Sequence, residues 1–94
     1  MPKATWNGIV LAESEHCEKV EGNCYFPPQA ITRQYFKEST THATCPWKGE
    51  ASYYHIEANG QVNRDAAWYY RSPKDAAKNI TGHVAFAKSV MVDE

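Results

Sequence analysis

Ser52-Tyr53-Tyr54-His55-Ile56-Glu57-Ala58, followed by Asn59-Gly60 and the chain that leads to Ala66-Ala67-Trp68-Tyr69-Tyr70, is the stretch that decides the fold. Asn-Gly supplies the two positive φ angles that a tight type I′ hairpin needs. The flanking residues are rich in the aromatic and β-branched types that suit strands. Along Ser52–Ala58 one face carries Tyr54, Ile56 and Ala58, and the other carries Tyr53 and His55. Along Ala66–Tyr70, Trp68 and Tyr70 point one way and Tyr69 the other. A sheet with one wet face would show polar residues there. Both faces of these strands therefore need cover, from a helix, a curled sheet, a bound ligand or a second subunit.

Working outward, Asn7-Gly8 joins Ala4-Thr5-Trp6 to Ile9-Val10-Leu11, and Glu21-Gly22-Asn23 joins His16–Val20 to Cys24–Phe26. Short strands at regular turns predict a mainly β fold, or α+β with one short helix, built on a small antiparallel or barrel-like sheet. Pro27-Pro28 stops the strand that ends at Phe26, because proline cannot donate to a ladder. One helix is predicted over Ser72–Ile80, its body at about 73–80, packed on the sheet. Ser72 suits an N-cap, Pro73 the first helical position and Asp75 the free amides of the first turn. Ala76, Ala77 and Ile80 would form its apolar face. Val84–Phe86 and then Val90–Val92 close the chain.

Ninety-four residues make one domain, 1–94, with a thin margin of core. Charged residues are 22% and apolar residues 43%, which excludes a disordered chain. The longest apolar run, Ala66–Tyr70, is far below the ~20 residues of a membrane helix. Net charge is −1 and no two of the ten Lys and Arg are adjacent, so no basic face offers itself to phosphates. The reading is therefore no nucleic acid and no membrane. The N-terminus lacks the apolar core of a secretory signal. Three cysteines, an odd count, then read as reduced thiols in a cytoplasmic protein. Cys17 and Cys24 read as ordinary strand residues that flank a turn and are placed to pair under oxidation.

Thr44-Cys45-Pro46-Trp47-Lys48-Gly49-Glu50-Ala51-Ser52-Tyr53-Tyr54 is distinctive, as are Ala67-Trp68-Tyr69-Tyr70, Tyr25-Phe26-Pro27 and Ile80-Thr81-Gly82-His83-Val84-Ala85-Phe86. Together they resemble the small bacterial family called domain of unknown function 427, which some classifications label a nucleotidyltransferase-type domain. The resemblance runs from Ala4-Thr5-Trp6-Asn7-Gly8 to the end. It implies a mainly β, curled or tent-like sheet with one helix, and no mechanism. The chain departs from the family pattern at Arg71, where proline often follows Trp-Tyr-Tyr. It departs also at Ala87, where an aromatic often follows Val-Ala-Phe, and at Cys24, where a larger polar residue often precedes Tyr-Phe-Pro.

The residues themselves do not support nucleotidyl transfer. There is no phosphate-cradling glycine loop and no Asp-x-Asp to hold magnesium. Cys17-x6-Cys24 and His42-x-x-Cys45 lack the paired spacing of a zinc site, so neither metal nor cofactor is expected. The strongest functional feature is the aromatic cluster. Trp47, Lys48, Tyr53, Tyr54, Trp68 and Tyr70 are predicted to line a small-molecule pocket with Cys45 at its rim. Each indole or phenol tip wants a polar partner, and Lys48 stands where an anionic or carbonyl group would land. The bland reading is that the rings interlock and fill the space. Two apolar sheet faces also predict a homodimer. Two alternatives stay open: a small enzyme using Cys45 with Lys48 and a histidine tuning the thiol, and a purely structural or protein-interaction module.

Overall fold

Asn7-Gly8, Glu21-Gly22 and Asn59-Gly60 all take the left-handed region at both residues, with φ of 51° and 78°, 54° and 81°, and 51° and 76°. Each therefore closes a two-residue hairpin, as the sequence predicts. In the computed structural model, which describes residues 1–94, nine strands follow from these reversals. They are β1 (Lys3–Trp6), β2 (Ile9–Glu13), β3 (Glu18–Val20), β4 (Asn23–Tyr25), β5 (Phe36–Cys45), β6 (Gly49–Ala58), β7 (Gln61–Tyr70), β8 (Val84–Phe86) and β9 (Met91–Asp93). They form three antiparallel sheets, ordered β2-β1-β9, β3-β4 and β5-β6-β7-β8. The fold is mostly β and no barrel closes. The two Asn-Gly turns also lock together: Asn7 Nδ2 donates to Ala58 O and Asn59 Nδ2 to Asn7 O, both at 2.9 Å.

Phe26 and Val84 exchange backbone hydrogen bonds of 2.8 Å each way, so the β3–β4 hairpin is tied to the outer edge of β8. Strand β5, to which the sequence reading assigned nothing, forms the opposite edge. Its Thr-rich, mostly exposed residues carry little apolar periodicity, so only pairing with β6 defines it.

Both faces of the central sheet are covered by the chain itself. On one side Tyr54, Ile56, Ala67, Tyr69, Val84 and Phe86 pack with Leu11 and Ala12 of β2, Phe26, Ile31 and Phe36. On the other, Ala51, Tyr70 and Ala85 pack with Tyr25, Ala77 and Ile80, and Tyr53 and Trp68 lie at the margin. Uncovered faces therefore supply no reason for a dimer.

The predicted helix is not one. Asp75–Ile80 is a 3-10 segment, broken at Ala77 with φ −120° and ψ 24°. Its cap position is Lys74, not Ser72, and no side chain caps it. The backbone explains why. Lys74 N–H donates to Lys48 O at 2.9 Å and Lys74 Nζ to Pro46 O at 2.7 Å, which holds the chain extended beside the β5–β6 turn. The docked residues, Ala77 and Ile80, are three apart, the 3-10 repeat, and Ala76 is exposed.

Cys17 and Cys24 form a disulfide across the β3–β4 hairpin, with Cα atoms 5.6 Å apart, and Cys45 is the free thiol. The expectation of three reduced thiols is corrected: flanking a tight hairpin brings the pair within bonding reach. The cysteine count consequently gives no argument for a reducing compartment. No helix is long and apolar enough to cross a membrane.

Candidate functional site

Alternation along the strands divides the predicted pocket residues. Tyr53 pairs with Trp68 and Ala51 with Tyr70, which sets Tyr53, Trp68 and Tyr70 on one face. Tyr54, one residue on, falls on the other face and packs in the larger core. It cannot line a site with Trp68 and Tyr70, because successive side chains in a strand oppose each other.

Lys48 is 5% exposed. Its ammonium bonds the Glu21 carboxylate and lies 5.4 Å from the centre of the Trp47 ring and 5.3 Å from that of Tyr70. Burial opposes its charge, but the Glu21 hydrogen bond and the Tyr25 and Tyr70 oxygens prevail, and Lys48 titrates above the ordinary lysine range. Its hydrogen bond from Lys48, and then that from Trp47 Nε1 at 3.2 Å, hold the Glu21 carboxyl below the usual range. Trp68 Nε1 donates to Tyr25 Oη at 3.1 Å. The two indole N–H groups thus find partners inside the protein, and no buried side-chain polar atom is left unpaired. None of the three surface clefts is lined by Cys45, Trp47, Lys48, Tyr53, Tyr54, Trp68 or Tyr70.

The groups invoked to tune Cys45 also lie apart from it. His42, three positions earlier in β5, is on the opposite face, where its Nδ1 lies 3.3 Å from Ser52 Oγ. Lys48 is committed to Glu21. His55 is six residues along β6 from Gly49, the partner of Cys45, or about 20 Å at strand rise. Its Nδ1 accepts from Asp65 N–H at 3.0 Å, where three β7 residues, 64–66, bulge opposite it.

The concave feature with converging chemistry is on the Tyr54 face. A cleft of about 270 Å³ is lined by His42, Glu50, Ser52, Arg71 and Ser72. Pairing across β5 and β6 aligns His42 with Ser52, and Glu50 is two residues before Ser52 on the same face. Ser52 opposes Tyr69 of β7, and Arg71 follows as the strand ends. Arg71 Nη2 donates to Tyr69 Oη at 3.0 Å, and Tyr69 Oη donates to Glu38, whose carboxylate oxygens are 3.1 and 3.2 Å away. The hydrogen bond to Tyr69 pushes the Arg71 guanidinium further up. Tyr69 stacks on Tyr54 with ring centres 4.7 Å apart and planes 24° apart. Burial, then Tyr69 and Glu38, push the Tyr54 phenol up, against the pull of Arg33.

Ser52 is 8% exposed, so a buried hydroxyl stands among the charged lining groups. The larger cleft, about 400 Å³ beside the Asn59-Gly60 turn, has no buried polar side chain in its lining. Sequence reasoning missed Glu38, His42, Ser52, Tyr69 and Arg71 as a group. The alternation that put Tyr54 and Ile56 on one face extends back to Ser52 and Glu50, and was the available signal.

Fold and cleft define a small antiparallel β domain with a polar concave site on its central sheet. The chain belongs to the family described as domain of unknown function (DUF427), whose match spans residues 2–94. No curated protein matches it.

Proposed function

We propose that this chain is a small-molecule binding domain whose ligand occupies the cleft of His42, Glu50, Ser52, Arg71 and Ser72. One observation carries the reading: charged and hydroxyl groups from β5, β6 and the end of β7 converge beside a stacked Tyr54–Tyr69 pair. The lining carries no apolar side chain, so recognition here rests on charged and hydroxyl contacts. An Arg offers five donors, and the one bond Arg71 makes to a protein side chain leaves others for a ligand. The site is a binding site rather than a thiol active site, because His42 and Cys45 stand on opposite faces of β5. None of the residues predicted for the pocket lines this cleft; Tyr54 bears on it only through its stack on Tyr69, which accepts from Arg71. Native mass spectrometry of the purified chain, with amide chemical-shift mapping against a mixture of small polar metabolites, tests the reading. Shifts centred on Ser52, Arg71 and Ser72 are expected, and their absence would overturn it.

A homodimer is favoured by a separate observation. β5 is a ten-residue edge strand, and beyond the bulge at 39–41 its end, His42–Cys45, pairs regularly with β6 and carries no Lys, Arg, Asp, Glu or Pro to guard it against a second copy. Light scattering at tens of micromolar should give twice the chain mass.

A further inference from the structure

Granting the small-molecule reading of this cleft, we propose that its ligand is a zwitterion, one small molecule carrying both a carboxylate and an ammonium, as a free amino acid does. Arg71 and Glu50 line the same cleft yet form no ion pair with each other or with any other residue. Their charged atoms therefore stand more than 4.0 Å apart across it. Opposite charges held apart in one concavity favour a ligand that presents a negative group to one and a positive group to the other.

Arg71 is oriented for this task. Its Nη2 is anchored on Tyr69 Oη, which Glu38 holds in turn, so the guanidinium is steadied at one corner while its other donors stay available. Ser52 and Ser72 add hydroxyls, and His42 is bonded back to Ser52. Glu50 in the lining and Glu38 behind Tyr69 both repel a phosphate dianion, which selects against nucleotides and phosphosugars. The volume of about 270 Å³ suits a molecule below drug size.

The test uses the full ¹⁵N-labelled chain titrated with pools of the common amino acids, sodium acetate, methylammonium chloride and inorganic phosphate. At least one amino acid should move the Ser52, Arg71 and Ser72 amides, with acetate and methylammonium each binding about tenfold or more weakly, the cost of one lost charged contact. Arg71→Gln and Glu50→Gln should each weaken binding about tenfold, and both side chains are exposed, so both variants fold. Acetate or phosphate binding as tightly as any amino acid, with Glu50→Gln without effect, would make this an anion site and overturn the proposal. If no amino acid moves the cleft amides, the proposal also falls. The metabolite mixture then separates the two failures: a response there leaves the cleft as a binding site for another ligand class, and silence there removes both readings.

Discussion

Ile80→Ala, with Ser72→Ala beside it, tests how the segment after β7 is attached. Ile80 is fully buried against Tyr25 and Tyr70. Truncation removes three buried carbons, worth about 0.8 kcal/mol each or about 2.4 kcal/mol in transfer. A residual void of roughly 50 Å³ adds about 1.2 kcal/mol at about 24 cal/mol per Å³. The total, about 3.6 kcal/mol, is a large share of the roughly 5–14 kcal/mol a domain of this length commands. With a urea m-value of about 1.3 kcal/mol per M, the midpoint should fall by about 2.8 M. Ser72 is exposed and caps nothing, so Ser72→Ala should change stability by less than about 0.5 kcal/mol. Equilibrium urea unfolding followed by tryptophan fluorescence measures both. An Ile80→Ala loss below about 1 kcal/mol would mean the segment does not dock as described. A Ser72→Ala loss of about 1 kcal/mol would restore a capped α-helix beginning there.

Trp68→Leu should destabilise by about 2–3 kcal/mol in the same assay, because its ring packs on Tyr53 and its Nε1 bonds Tyr25; an unchanged midpoint would contradict that packing. Closing an eight-residue loop, the Cys17–Cys24 disulfide should contribute about 2.5 kcal/mol, lost in Cys17→Ser/Cys24→Ser, and alkylation of the unreduced chain should label Cys45 alone. Glu21 holds its proton less tightly folded than unfolded, so its contribution is whole above the ordinary carboxylate pKa of about 4.3 and is lost as pH falls through the lower folded value. Thermal melts from neutral pH down to about pH 3 should show that loss, and Glu21→Gln should show less of it.

The hairpins were legible because their cause is local. Asn7-Gly8 and Asn59-Gly60 reverse the chain through their own positive φ angles, whatever surrounds them. The two-faced burial of the central strands was legible in the same way, from alternation of Tyr53, Tyr54, Trp68, Tyr69 and Tyr70. The segment 72–80 misled because cap chemistry at Ser72-Pro73 is only a weak preference. Hydrogen bonds from Lys74 to the β5–β6 turn, 26 and 28 positions away in the chain, override it. What filled the aromatic cluster was also beyond the sequence. Lys48 and Trp47 find Glu21, and Trp68 finds Tyr25, through pairings that depend on where the β3–β4 hairpin lands. The cleft is the clearest case. His42, Ser52 and Tyr69 are ordinary polar or aromatic residues on three strands, and Arg71 is the residue after the third. Only the register of β5 on β6 and of β6 on β7, with three residues at 39–41 bulged opposite Tyr53 and three at 64–66 opposite His55, sets them side by side. Register is a property of paired strands, so no single segment carries it.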